Sequence, residues 1–351
     1  MAPVAHALRD CGLSPTLVFT DQHLGLNPAE FGLEAYPAVR LGCQGEEDPH
    51  RHVQHVIAAM LQFLRPAPDL LVVQGDTSSA LGAALAGSIA EIPLAHVEAG
   101  LRTHDPLLPW PEEEYRTAID ARADLLFAPT QTAVANLRAE GVRGEVHMTG
   151  NTGIDALLAV QARLTAQSLV IEALPRILVT CHRRESWREG LRSIAAALTE
   201  IARDGNARID LILHPNPHVA MTMRQSLDSV RGISLLAPCS QSELVGRMRD
   251  ADLILSDSGG IQEEAAALGA PLLVLREKTE RPECVASGNA RLVGTSAERI
   301  VAEVRQLLEN PYERLAMARP AFPFGDGHAA PRIAEIIDRW LQERSLTRRL
   351  A

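Results

Sequence analysis

Five short polar clusters in this chain carry side chains able to do chemistry, and several of them fall at the ends of β-rich runs. Gly75-Asp76-Thr77-Ser78-Ser79 comes directly after Leu70-Leu71-Val72-Val73-Gln74, and its Asp76 suits either a helix cap or a reacting carboxylate. In His96-Val97-Glu98-Ala99-Gly100-Leu101-Arg102, Glu98 can pair with Arg102. At a strand end facing a cleft, burial would instead raise its pKa and fit it to take a proton. Pro109-Trp110-Pro111-Glu112-Glu113-Glu114-Tyr115-Arg116 reads as a helix start, with Pro in the first turn and acids complementing the dipole. The long Pro-bounded loop before it reads as an active-site segment. Thr180-Cys181-His182-Arg183-Arg184-Glu185 offers an anion site or a solvated basic turn, and His182 can carry a proton near neutral pH.

The fifth cluster is the most specific. In Ser256-Asp257-Ser258-Gly259-Gly260-Ile261-Gln262-Glu263-Glu264 a strand ends, small residues turn the chain and a helix begins. Bare amides at such a helix start hold a diphosphate, and Glu264 one turn in can accept hydrogen bonds from ribose hydroxyls. Thr279-Glu280-Arg281-Pro282-Glu283 can add Arg281 to that anion site. His214-Pro215-Asn216-Pro217 fits a rigid turn as well as a functional one. His50, His52 and His55 look like a metal cluster but have no Cys or acid in fixed register, so a solvated helix face is expected and no metal site. No GxGxxG turn is present, which argues against a nicotinamide enzyme. Carboxylates in the first half and anion binding in the second favour an enzyme acting on a nucleotide-linked sugar, not a nicotinamide enzyme.

The elements that must position these clusters alternate strand and helix. Pro93 to Val97, Asp124 to Ala128 and Glu145 to Met148 continue the strand set, with Ala-rich helices at Ser79 to Glu91 and Thr130 to Glu140 between. The alternation restarts after Gly150-Asn151, with strands at Arg176 to Thr180, Ile209 to Leu213, Ile233 to Leu236, Leu253 to Ser256 and Pro271 to Leu275. Such spacing predicts right-handed parallel crossovers and two doubly wound α/β halves, divided near residues 150 to 175. Pro331 to Leu350 is a final helix with Ile333, Ile336, Ile337, Trp340 and Leu341 on one face. The chain opens on a helix, Met1 to Arg9, before the strand Thr16 to Thr20, whereas a doubly wound domain normally opens with a strand and phosphate turn. A truncated start is therefore expected.

Composition sets the outer limits. The 351 residues suggest about two domains, and 46% hydrophobic with 22% charged residues is globular. A net charge of -10 argues against a broad nucleic-acid surface. Cys11, Cys43, Cys181, Cys239 and Cys284 are scattered and lack CxxC spacing, which points away from disulfides and structural zinc and towards the cytoplasm. No apolar run reaches the roughly 18 residues of a membrane span, and no secretory leader opens the chain.

Taken together, Gly75-Asp76-Thr77, His96 to Thr103, Pro109 to Glu113, His182 to Glu185, Ser256 to Glu264 and Thr279 to Glu283 resemble the non-hydrolysing UDP-N-acetylglucosamine 2-epimerases of bacteria, over essentially the whole chain. The resemblance implies two Rossmann-like α/β domains of the glycosyltransferase B type with an interdomain cleft. The first covers residues 1–150, without its first strand, plus the returning helix 331–351; the second, UDP-binding, covers 151–330. It implies interconversion of UDP-GlcNAc and UDP-ManNAc for surface polysaccharides, by a cytoplasmic homodimer without metal or cofactor. Asp76, Glu98 and Glu112 match the family's acid/base carboxylates and His182 its functional histidine. Ser258, Gly259, Gly260, Glu264 and Arg281 match its UDP contacts.

Three departures stand out. The family's opening strand and Gly-Thr-Arg-Pro-Glu turn precede Met1-Ala2-Pro3, so little activity is expected of a chain starting there. Tyr115 replaces the Asn of the acidic loop, leaving room for a different UDP-sugar. Gln22-His23-Leu24-Gly25 keeps half of the run that binds an activating second substrate in several members, which makes substrate activation doubtful. Rival readings are a hydrolysing epimerase, a related glycosyltransferase and an inactive nucleotide-sugar-binding protein.

Overall fold

A computed structural model describes residues 1–22, 27–164, 174–181 and 189–350. They form two compact units, Met1–Ala156 with Phe324–Ala351, and Leu157–Pro323. The chain leaves the first unit inside a continuous helix, so the break falls after Ala156, not at Gly150, and the return falls at Phe324, before the last helix.

The first unit runs α1 (Ala2–Asp10), β1 (Leu17–Phe19), β2 (Ala38–Arg40), α2 (Pro49–Phe63), β3 (Leu71–Gln74), α3 (Ser78–Ile89), β4 (Leu94–Val97), α4 (Glu112–Asp120), β5 (Leu125–Ala128), α5 (Gln131–Glu140), β6 (Glu145–Met148) and the start of α6 (Thr152–Arg163). A parallel sheet forms in the order β3-β4-β5-β6, and β1 and β2 make a separate parallel ladder among the described residues. Every residue of β4 and β5 is buried. That burial explains their unbroken apolar runs, because a parallel sheet is covered on both faces. Val4 and Leu8 of α1 cover Val97, Leu125 and Phe127 together with Ile333, Ala334 and Ile337 of the last helix. On the other face lie Val53, Val56 and Met60 of α2, the alanines of α3, and Tyr115 and Ile119 of α4.

The second unit holds β7 (Arg176–Thr180), α7 (Glu189–Asp204), β8 (Arg208–Ile212), α8 (Pro217–Leu227), β9 (Ile233–Leu236), α9 (Gln241–Asp250), β10 (Leu253–Ser256), α10 (Gly259–Leu268), β11 (Leu272–Val274), α11 (Pro282–Ala286), β12 (Ala290–Leu292), α12 (Ala297–Glu309) and α13 (Pro311–Met317). Its parallel strands are ordered β12-β11-β10-β7-β8-β9. Counted within the unit, this is 6-5-4-1-2-3, the dinucleotide-fold order, and the winding reverses between β7 and β10. Leu191, Ile194, Leu198 and Ile201 recur every three or four residues along α7 and are buried against Val179, Leu211 and Leu255 of the sheet.

The last helix, α14 (Ala329–Leu350), belongs to the first unit. Asp155 fixes its start by accepting from the Ala329 and Ala330 amides at 3.2 and 2.8 Å. No helix among the described residues is long and apolar enough to cross a membrane.

Candidate active site

In the first unit the chemistry gathers at the carboxyl ends of β3 and β4, which are neighbours in register Gln74↔Val97. Gly75, whose φ of +68° suits glycine, directly follows β3, and Asp76 comes next. Asp76 is not the helix cap. Thr77 takes that position on α3, accepting from the Ala80 amide at 3.1 Å, which leaves Asp76 to pair with Arg116 Nη2. Thr77→Ala is expected to cost about 1 kcal/mol. A melting curve of the variant, a few degrees below wild type, is the check.

Glu98, at the end of β4, is held in the left-handed region at φ 71° although it is not glycine. Its amide donates to Phe127 O at 3.1 Å, and its Oε2 accepts from Gln74 Nε2 at 3.3 Å. A Cβ placed on Gly75 would lie 3.7 Å from that same Oε2, so the Asp76 turn and the Glu98 carboxylate share one locality. A side chain kept in a sparsely populated backbone region stores about 1–3 kcal/mol, and such residues cluster at functional sites.

Of the two readings open for Glu98, the pair with Arg102 does not form. Arg102 instead bonds Asp120 Oδ2 at 2.7 Å and Glu140 through two nitrogens at 2.7 and 2.6 Å. Burial alone would push the Asp120 carboxyl up, but the charges of His96 and Arg102 outweigh it and hold it below the ordinary range. Glu112 opens α4, and the next residue, Glu113, holds the preceding loop. Glu113 accepts from the Thr103 and His104 amides at 3.0 and 2.9 Å and faces Arg116 Nη1 at 3.4 Å. Glu113, Arg116 and Asp120 therefore line one buried face of α4 at helical spacing.

Tyr115, where the family has Asn, is 1% exposed and sits in the core beside the His50 ring. Of the α2 histidines, His50 and His55 are exposed as a solvated face requires, and His52 is the exception. His52 is buried between Ser78 Oγ at 2.7 Å and Cys43 O at 3.0 Å, His50 meets Trp110 and Tyr115 edge-on, and His55 pairs with Glu46. His182, with Arg183 to Glu185, lies outside the described residues, as do His23 to Gly25 and most of the span from Ala166 to Pro175.

In the second unit the glycine turn lies at the carboxyl end of β10, beside the winding reversal. Thr180 of β7 and Ser256 of β10 are in register and share a 2.7 Å hydroxyl hydrogen bond. Ser258 caps α10, accepting from the Ile261 amide. Gly260 is exposed, with nothing within 4 Å of where its Cβ would stand. Gly259 is the opposite case, since a Cβ there would meet Arg281 Nη1 at 2.5 Å and Cζ at 2.7 Å. Arg281 thus rests against the helix start, held by Glu263 Oε1 at 2.6 Å and by Glu280. Glu280 also takes Arg276 Nη1 at 2.8 Å, giving a buried chain of alternating charges. Gln262 ties this loop to α10 by accepting from Thr279 Oγ1 at 2.6 Å and donating to Ser258 O at 3.3 Å. Glu264 lies one turn in, and burial raises its carboxyl to about 7. Burial also raises the thiols of Cys181 and Cys284, so neither is a ready nucleophile.

Sequence reasoning missed Gln74, Arg116, Asp120 and Gln262. Arg116 and Asp120 carried a usable signal, being charged residues next to Tyr115 and Ile119 on a helix stripe that must face the sheet.

Two α/β units, one with the dinucleotide-fold strand order and an open helix start at its reversal, define a chain of the glycosyltransferase B type. A structural likeness to Acinetobacter baumannii MurG, at 13% identity and a TM-score of 0.58, is a likeness of fold. Residues 6–338 match the family model described as UDP-N-acetylglucosamine 2-epimerase. The UDP-N-acetylglucosamine 2-epimerase of Salmonella typhimurium (strain LT2) is 40% identical over 96% of this chain and 94% of its own length, and that of Escherichia coli (strain K12) is 39% identical over the same shares. The crystal structure of the Neisseria meningitidis UDP-GlcNAc 2-epimerase bound to UDP-GlcNAc superposes with a TM-score of 0.91, at 34% identity, covering 97% of this chain and 96% of that one. The chain belongs to the UDP-N-acetylglucosamine 2-epimerase family.

Proposed function

We propose that the protein interconverts UDP-GlcNAc and UDP-ManNAc by eliminating and re-adding UDP. The observation that carries this reading is Glu98, a carboxylate kept at a strained strand end beside the Asp76 turn. In the reaction a base removes the C2 proton, the C2–H electrons form the C1=C2 bond of 2-acetamidoglucal, and the C1–O bond breaks with UDP leaving. A proton then reaches C2 from the other face and a UDP oxygen attacks C1. Asp76, Glu98 and Glu112 supply the base and the acids, with His182 as a further functional group. The α10 amides at Gly259 and Gly260, the Ser258 hydroxyl and Arg281 stabilise the departing diphosphate, where charge develops. Metal and nicotinamide have no part in this scheme. A homodimer working in the cytoplasm for polysaccharide synthesis completes the reading, drawn from the family resemblance.

The test is incubation with UDP-GlcNAc in deuterium oxide, followed by proton NMR. Deuterium at C2 with intact UDP-ManNAc is the expected result. Free ManNAc with UDP would make the protein a hydrolysing epimerase, turnover only with an added acceptor would make it a glycosyltransferase, and binding without exchange would make it a nucleotide-sugar-binding protein.

Glu264 adds a pH dependence. As an acceptor for ribose hydroxyls it binds best ionised, and its pKa of about 7 leaves roughly a tenth ionised at pH 6. UDP-GlcNAc, which does not titrate there, should bind about tenfold more weakly at pH 6 than above pH 8, and Glu264→Gln should flatten the curve. The stability sign is opposite. The folded carboxyl holds its proton above the unfolded value of 4.5, so the stabilising contribution is complete below 4.5 and lost as pH rises through about 7.

A further inference from the structure

We propose that His96, with Asp120, is a positioning residue that holds the three carboxylate-bearing segments of the first unit in mutual register. The inference rests on the epimerase reading for its kinetic effect and on geometry for everything else. His96 and Asp120 are both 0% exposed, and neither can reach solvent substrate. His96 Nδ1 bonds Asp120 Oδ1 at 2.6 Å, and its Nε2 bonds Gly75 O at 2.9 Å. Both partners are acceptors, so both ring nitrogens donate. Asp120 Oδ2 takes the Gly100 amide at 3.1 Å and Arg102 Nη2 at 2.7 Å.

These bonds touch each segment in turn. Gly75 precedes Asp76. His96 and Gly100 flank Glu98 on either side. Asp120 closes the helix that Glu112 opens, so fixing its carboxylate fixes the far end of α4. Glu140 on α5 anchors the other end of the network through Arg102. Buried charges left unpaired are costly, whereas here each finds a partner, and a fully satisfied network of this kind rigidifies what it joins. The turn it holds is the one that most needs holding, because Gly75 and Glu98 both adopt positive φ.

The two ring nitrogens allow a test that separates positioning from plain stability. A Gln at this position can place its amide nitrogen near that of Nε2 and keep the bond to Gly75 O. An Asn can mimic only Nδ1 and its bond to Asp120. For His96→Gln and His96→Asn three quantities are measured: melting temperature, C2 deuterium exchange on UDP-GlcNAc, and amide hydrogen exchange across residues 71–80. The expected result is that the Asn variant loses roughly 10²-fold in kcat, because a misplacement on the order of 1 Å costs that much. KM should stay within about twofold, and amide exchange at 74–77 should quicken. The Gln variant keeps the Gly75 bond, so amide exchange at 74–77 should stay near wild type and more of kcat should survive than in the Asn variant, although loss of the Asp120 bond lowers its melting temperature. Equal losses in the two variants that follow their melting temperatures would overturn the proposal, as would unchanged amide exchange in the Asn variant. Wild-type protein inert towards UDP-GlcNAc would refute the epimerase reading, and the amide exchange would still decide the positioning role. If both variants unfold, the wild-type imidazole 15N spectrum decides: two protonated nitrogens on His96 support the bridge, and one bare nitrogen overturns it.

Discussion

Replacing Glu98 with Gln should remove C2 proton exchange, with a fall of about 10²–10⁴-fold in turnover, the usual yield of a positioned acid or base. The substitution keeps the size of the side chain and a partner for Gln74, which donates to the carboxylate at 3.3 Å. It therefore leaves the turn in place while removing the basicity. Affinity for UDP alone should be unchanged, since the groups proposed to hold UDP lie in the other unit. Isothermal titration with UDP and deuterium exchange on UDP-GlcNAc measure the two quantities separately. A variant that exchanges C2 within about fivefold of wild type would take Glu98 out of the acid/base set, far short of the loss general catalysis predicts.

The second large effect concerns two adjacent glycines with opposite surroundings. Gly259→Ala would drive its Cβ to 2.5 Å from Arg281 Nη1, and the guanidinium cannot withdraw without leaving Glu263 and Glu280. Overpacking of this kind costs about 1–3 kcal/mol. If that strain falls on the bound state, UDP binding weakens by roughly 5- to 150-fold. Gly260→Ala meets nothing within 4 Å, so the fold should accept it and the helix start should gain slightly from the better helix former. Paired titrations with UDP, with melting curves beside them, check both. A Gly259→Ala protein as tight and as stable as Gly260→Ala would refute the wedge between Arg281 and α10.

Two of the strands that carry the site could be read from the chain because they are buried on both faces. Leu94–Val97 and Leu253–Ser256 lie wholly inside, so apolar runs and strands coincide. Their carboxyl ends point to Glu98 and Ser258, while Asp76 follows the only partly buried apolar run of β3. What stayed hidden lacked such a run. β2 is three residues long and mostly exposed, and β12 has three residues between Gly-Asn and Val-Gly. The supporting charges were hidden for another reason. On sequence, Arg116 and Asp120 are marked only by their place beside Tyr115 and Ile119, and the fold shows which partners they meet there. Asp76 was ambiguous because Asp and Thr both cap helices well, and the choice between adjacent candidates depends on backbone angles that no spacing rule supplies. The Glu98–Arg102 pair failed for the same reason: the left-handed turn at Glu98 sends the chain so that Arg102 meets Asp120.

On the proposed catalytic role of Glu98, that left-handed glutamate sets selection for heat resistance against selection for turnover. Glycine at position 98 would relax the backbone without a steric penalty, so a library screened only for surviving heat would favour its loss. With Glu98 in the role proposed for it, directed evolution towards a hardier enzyme needs a turnover filter in every round, or the fittest survivors will be sturdy and inert.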